Sequence, residues 1–141
     1  TFSAIRILPN SCLFSHVGDS CILYSDGSGL RKISKCHTLG DELIEKHGPE
    51  AANDMPEHYM HTLTRCMGQD IDFEVDLGEQ KLSPGDQLVI CSDGITNMVE
   101  INEINQLMGT LEPKDFIHAL IDAANQNGGV DNSTAVTIRI S

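Results

Sequence analysis

Apolar and polar residues alternate along the first third of the chain. FSAIRIL, SCLFSHVG and CILYS look like consecutive strands, the last a short continuous apolar run. LRKIS resumes alternation after Ser25-Asp26-Gly27, and Asp-Gly is a favoured hairpin turn. DELIEKHG has helical spacing and stops at Gly48 and Pro49, as helices commonly do. GPEAANDMPEHYM has no period and reads as an exposed loop. After HTLTRCMG, the alternation of Ile71, Phe73, Val75 and Leu77 predicts a strand over IDFEVDLG. Ser83-Pro84-Gly85-Asp86 has turn composition, and QLVICS reads as a buried strand.

A second Ser-Asp-Gly then begins a different pattern. After Asp93-Gly94, the apolar residues Ile95, Met98, Val99 and Ile101 fit a helical face, so the carboxylate sits where a buried strand turns into a helix. Such junctions often carry function. EINEINQLMG predicts one helix. A longer one runs from Lys114 to about Asn125, with Phe116, Leu120, Ile121 and Ala124 on its apolar face. Gln126-Asn127-Gly128-Gly129 breaks it, and STAVTIRI is the last strand. Strands mostly precede helices and are joined by hairpins, which predicts an α+β fold of antiparallel sheet with helices packed on it. With no repeat or linker, residues 1–141 read as a single domain.

Composition narrows the function. A net charge of -12 over 141 residues disfavours nucleic acid and anionic membrane, both of which require a basic patch. No apolar run approaches the roughly 18 residues of a membrane span, and no signal peptide is visible. The chain starts at Thr1 without Met, which suggests processing or excision from something longer. The five cysteines, Cys12, Cys21, Cys36, Cys66 and Cys91, are scattered without a C-x-x-C pair and read as reduced thiols in a cytoplasmic protein.

Three aspartates share one setting: Asp19 in HVGDSCILY, Asp93 in VICSDG and Asp131 in GGVDNSTAV. Each has a glycine within two residues, which permits tight turns. If the strands are neighbours, the carboxylates converge at one rim of the sheet. Clustered carboxylates repel and call for a cation, and oxygen ligands suit Mg²⁺ or Mn²⁺. Two such ions permit phosphoester hydrolysis without a protein nucleophile.

HVGDS, LTRCMG, LSPGDQLVICSDGITN and GGVDNSTAVTIRI, in this order, resemble the metal-dependent type 2C (PPM) serine/threonine protein phosphatases, in their compact bacterial form. The resemblance covers essentially all 141 residues but only the later part of the family's catalytic domain. It implies a four-layer sandwich of two antiparallel sheets with helices on both outer faces. It also implies hydrolysis of phosphoserine and phosphothreonine by metal-activated water, on protein substrates of a cognate kinase. By position, Asp93 and Asp131 would bind the second ion of a Mn²⁺ or Mg²⁺ pair. Asp19 would belong to a third, weaker site, where Asn97 stands in place of the family's usual aspartate. The family's early DG-x-GG block and upstream arginine are absent, the only Gly-Gly being Gly128-Gly129. The expectation is therefore one wall of a two-metal site, with little or no activity in these residues alone. A non-catalytic phosphatase-like regulatory module is the alternative. A sandwich missing its early strands should also expose sheet edge or apolar surface and self-associate.

Simpler readings stand beside these. Taken alone, Asp93 is a helix cap, Asp131-Asn132 a turn and Gly18-Asp19 a hairpin turn. His16 is a structural histidine, and His58 and His61 belong to a surface loop. Arg65 serves packing or an internal ion pair rather than phosphate binding, Asp86 is a turn residue, and Asp70 and Asp72 form a solvated strand face. There is no cysteine-phosphatase loop, no Walker-type G-x-x-x-x-G-K-[ST] and no EF-hand loop.

Overall fold

The computed structural model describes residues 1–70 and 72–141. Seven strands are described: β1 (Phe2–Ile7), β2 (Ser11–Val17), β3 (Cys21–Ser25), β4 (Leu30–Lys32), β5 (Asp76–Lys81), β6 (Gln87–Cys91) and β7 (Ala135–Arg139). They form two antiparallel sheets, β1-β2-β5 and β4-β3-β6-β7. Cys12, Tyr24, Leu82 and Leu88 fill the space between the sheets, with Ile5, Ile33, Ile138 and Ile140 around them. The helices α3 (Ile101–Thr110) and α4 (Pro113–Gln126) cover the other face of the four-stranded sheet. There Ile104, Met108, Phe116 and Leu120 pack on Leu23 and Val89. Truncating Phe116 or Leu120 to Ala would cost about 3–5 kcal/mol. The described residues thus build three layers of the expected sandwich. The outer face of β1-β2-β5 leaves Leu13 and Leu77 exposed.

The first Ser-Asp-Gly is the expected hairpin. Gly27 has φ 87°, a Cβ there would meet nothing, and Asp26 Oδ1 accepts the Ser28 N–H and hydroxyl. The helix of DELIEKHG starts earlier than its composition suggests, as α1 (Leu39–His47). Thr38 caps it: its Oγ1 accepts the Asp41 N–H and donates to the Asp41 carboxylate. Within GPEAANDMPEHYM the chain forms two 3₁₀ turns, Pro49–Asp54 and Glu57–His61, rather than open loop.

The strand predicted from the Ile71–Leu77 alternation begins only at Asp76. Ile71 lies outside the described residues, and Asp70 and Asp72 are exposed but not in a strand. The register explains the late start. Asp76 pairs with His16, and β2 ends one residue later at Val17, opposite position 75, so residues 72–74 have no β2 position to face. Gly18-Asp19 is not a hairpin turn either, because β2 and β3 belong to different sheets and the chain crosses between layers there. Asp86 is more than a turn residue. It is buried and accepts hydrogen bonds from the Tyr24 hydroxyl (2.7 Å) and the Ser83 N–H (2.9 Å).

Candidate functional site

Strands β3, β6 and β7 are neighbours, with Cys21 opposite Cys91 and Cys91 opposite Ala135. Antiparallel pairing therefore puts the start of β3, the end of β6 and the start of β7 at one rim. Asp19 precedes β3, Asp93 follows β6, and Asp131 precedes β7, so all three aspartates arrive at that rim.

Hydrogen bonds stitch the last two together. The Ser92 hydroxyl donates to the Asn132 carbonyl (3.1 Å) and accepts the Thr134 N–H (3.0 Å), while the Ser92 N–H donates to the Thr134 carbonyl (3.0 Å). The Ser133 hydroxyl donates to the Gly94 carbonyl (3.1 Å). The backbones lie so close that a Cβ at position 94 would come within 2.5 Å of the Asn132 oxygen. This close approach is what demands glycine in the second Ser-Asp-Gly. Ser92, not Asp93, occupies the cap position of the short helix α2 (Asp93–Thr96). Its hydroxyl is spent on the loop before β7, which leaves the Asp93 carboxylate free of the capping role. The predicted helical run breaks after Thr96, and α3 begins at Ile101.

Asp19, Asp93, Asn97 and Asp131 line one open cleft of about 490 Å³. Burial raises the Asp93 carboxyl above its ordinary value, and the charges of Asp19 and Asp131 raise it further. A carboxylate discouraged from ionising by two like charges is suited to a cation, and the donors are all oxygens, as Mg²⁺ and Mn²⁺ prefer. Yet among the described residues no group of three or more His, Cys, Asp or Glu side chains is gathered to enclose an ion. The donor set fits a divalent ion in chemistry and would supply only part of its ligand shell. Asn97 donates from Nδ2 to Asp93 Oδ2 (3.3 Å), so its amide nitrogen, not its carbonyl, faces that carboxylate.

Asp19 is held from behind. The Gly18 N–H donates to His37 Nδ1 (3.1 Å), and the Gly18 carbonyl accepts the His37 N–H (2.8 Å). The buried His16 contacts that carbonyl through Nε2 (3.0 Å) and the Ser3 hydroxyl through Nδ1 (2.8 Å), the structural role expected of it. His37 Nε2 lies 3.2 Å from Asp76 Oδ2, too poorly aligned for a formed hydrogen bond. Arg65 pairs with the other oxygen of Asp76 (3.1 Å), the second of the two structural roles, packing or an internal ion pair, that its sequence setting allows.

The sequence pattern missed one contributor to this cleft. His61 is exposed, as a surface-loop histidine should be, but it stands on the wall of the cleft with Asp19 and Asp93. Backbone bonds from Leu39 to Thr62 and from Thr64 to His37 carry it there. No spacing in the sequence signals that fold-back. An adjoining cleft of about 350 Å³ shares Asp19, His61, Asp93 and Asn97 and adds Cys21, Lys32 and Cys36.

No family model matches the chain. Individual proteins do. A "putative protein phosphatase 2C-type" of Streptococcus pyogenes is 36% identical over 143 residues, which cover 98% of this chain and 56% of the relative. The solved serine/threonine phosphatase of S. agalactiae superposes with a TM-score of 0.90 at 32% identity, covering 99% of this chain and 58% of that one. The chain is a homologue of the bacterial type 2C (PPM) phosphatases. It spans somewhat over half the length of the relatives it matches. A third similar structure is the catalytic domain of the serine/threonine phosphatase PstP in complex with two manganese ions, with a TM-score of 0.83 at 27% identity, covering 99% of this chain and 58% of that one.

Proposed function

We propose that this chain forms the later part of a metal-dependent phosphatase that removes phosphate from phosphoserine and phosphothreonine in proteins. The observation that carries the reading is the stitching of Ser92–Gly94 to Asn132–Thr134, which brings Asp93 and Asp131 to one cleft in a chain homologous to type 2C phosphatases along its whole length. Asp93 and Asp131 would hold one Mn²⁺ or Mg²⁺ of a pair, and Asp19 with Asn97 a weaker ion on the substrate side. Such ions supply Lewis-acid charge for the phosphoryl oxygens and lower the pKa of water. The chain's own residues orient those ligands, with His37 and His16 fixing the Gly18 peptide before Asp19. Substrates would be phosphoproteins made by a cognate kinase. Five free cysteines fit a reducing, cytoplasmic setting, and no described helix is long and apolar enough to cross a membrane.

The experiment has two arms. Mn²⁺ should raise the thermal midpoint of the 141-residue chain, and Asp93→Asn or Asp131→Asn should remove that rise. No rise in the parent chain would sink the metal assignment. Hydrolysis of a phosphoserine peptide with Mn²⁺ should be slow for the chain alone and restored in a longer chain that supplies the part of the relatives' length this one does not cover. An inactive longer product would support the non-catalytic regulatory reading, which Asn97, with its amide nitrogen turned to Asp93, already favours.

A further inference from the structure

Cys21 opens β3 and is 3% exposed. Cys36 lies in the segment before α1 and is half-buried. Both sulfurs reach toward a single atom, the Asp19 carbonyl oxygen, at 3.9 Å and 3.4 Å. Both line the 350 Å³ cleft, so a small molecule entering it meets the pair. Lys32 Nζ lies 3.1 Å from the Cys36 sulfur and is the cationic neighbour of the pair. Of the other thiols, Cys12 is buried in the layer between the sheets, and Cys66 stands apart from the cleft. Cys91 is paired across the strands with Cys21 but does not line the cleft.

We propose that Cys21 and Cys36 form a dithiol modification site that closes to an intramolecular disulfide when hydrogen peroxide enters this cleft. Cys36, the more accessible, reacts first. Its sulfur attacks one peroxide oxygen, an S–O bond forms, the O–O bond breaks, and the thiol proton leaves with the displaced hydroxide as water. The Cys21 sulfur then attacks the sulfenic sulfur. The S–S bond forms, the S–O bond breaks, and the second thiol proton leaves with that oxygen as water. Two electrons pass from the sulfur pair to peroxide, which is the only oxidant required. The site stands on thiol geometry and does not depend on the phosphatase reading. Closure withdraws both S–H donors from the Asp19 carbonyl, so the state of the thiols is transmitted to the turn that presents Asp19.

The test is peroxide treatment of the folded 141-residue chain, alkylation of remaining thiols and intact-mass measurement, with peptide fragmentation to map any link. The expected result is loss of two hydrogens per chain, with Cys21 joined to Cys36 and three thiols still alkylated. Cys66→Ser should leave the link in place, whereas Cys36→Ser, at a partly exposed position, should abolish it while keeping the circular-dichroism spectrum. A Cys21–Cys91 link, a link through Cys66, or stepwise addition of oxygen without any link would each overturn the proposal. Fragmentation of the unmutated protein decides the matter even if Cys21→Ser fails to fold.

Discussion

Asp76 sits between the His37 ring and the Arg65 guanidinium. Partial burial alone would raise its carboxyl, but His37 and Arg65 outweigh that and hold it below its ordinary value of 3.8. A depressed carboxyl adds stability that is fully present above its ordinary value and is lost as the pH falls through the folded one. Asp76→Asn should therefore lower the urea-unfolding free energy at pH 7 by about 1 kcal/mol. The gap between variant and parent should close as the solution is taken to strong acid, and a gap that widens there would contradict the assignment. Arg65 was legible as a structural residue, packed or ion-paired, and its acidic partner eleven positions later was not. Asp86 was legible only as a turn, since its burial depends on Tyr24, sixty-two positions earlier in sequence. His61 was read for exposure correctly and for place not at all.

At the scale of elements, the two Ser-Asp-Gly copies show what local pattern reveals. The switch from a two-residue period to a helical one separated hairpin from strand-to-helix junction, and both readings hold. The pattern could not reveal that Gly94 faces the backbone of a loop nearly forty residues further on. Gly94→Ala should cost about 1–3 kcal/mol through that clash. Gly29→Ala, where a Cβ meets nothing within 4 Å, should stay within about 0.5 kcal/mol. Urea midpoints of the two variants give the comparison directly. Where alternation misled, at residues 72–74, the reason was non-local. A strand needs a neighbour, and after Val17 the chain has already left β2 for the other sheet. Proline-rich irregularity in residues 48–60 likewise concealed the 3₁₀ turns, which place few apolar residues and therefore leave no period.

For the whole molecule, the antiparallel sandwich was legible because hairpin connections and strand-before-helix order admit few other arrangements. The convergence of Asp19, Asp93 and Asp131 was legible only on the condition that their strands were neighbours, and the family resemblance outweighed the local readings as turns and a cap. On the outer face of β1-β2-β5, Leu77 is 80% and Leu13 43% exposed. Apolar side chains sharing an uncovered sheet face favour self-association. Multi-angle light scattering should show the 141-residue chain above monomer mass at high concentration, and Leu13→Lys with Leu77→Lys should return it to monomer. A parent chain that is monodisperse and monomeric throughout would refute this. The serine at position 92 has a wider consequence. Its hydroxyl partners lie 40 and 42 positions away, with α3 and α4 in between. Unseating the final strand would thus scatter the carboxylates while both helices kept their spectrum, so ion affinity should vanish early in denaturation and act as a gauge of C-terminal docking.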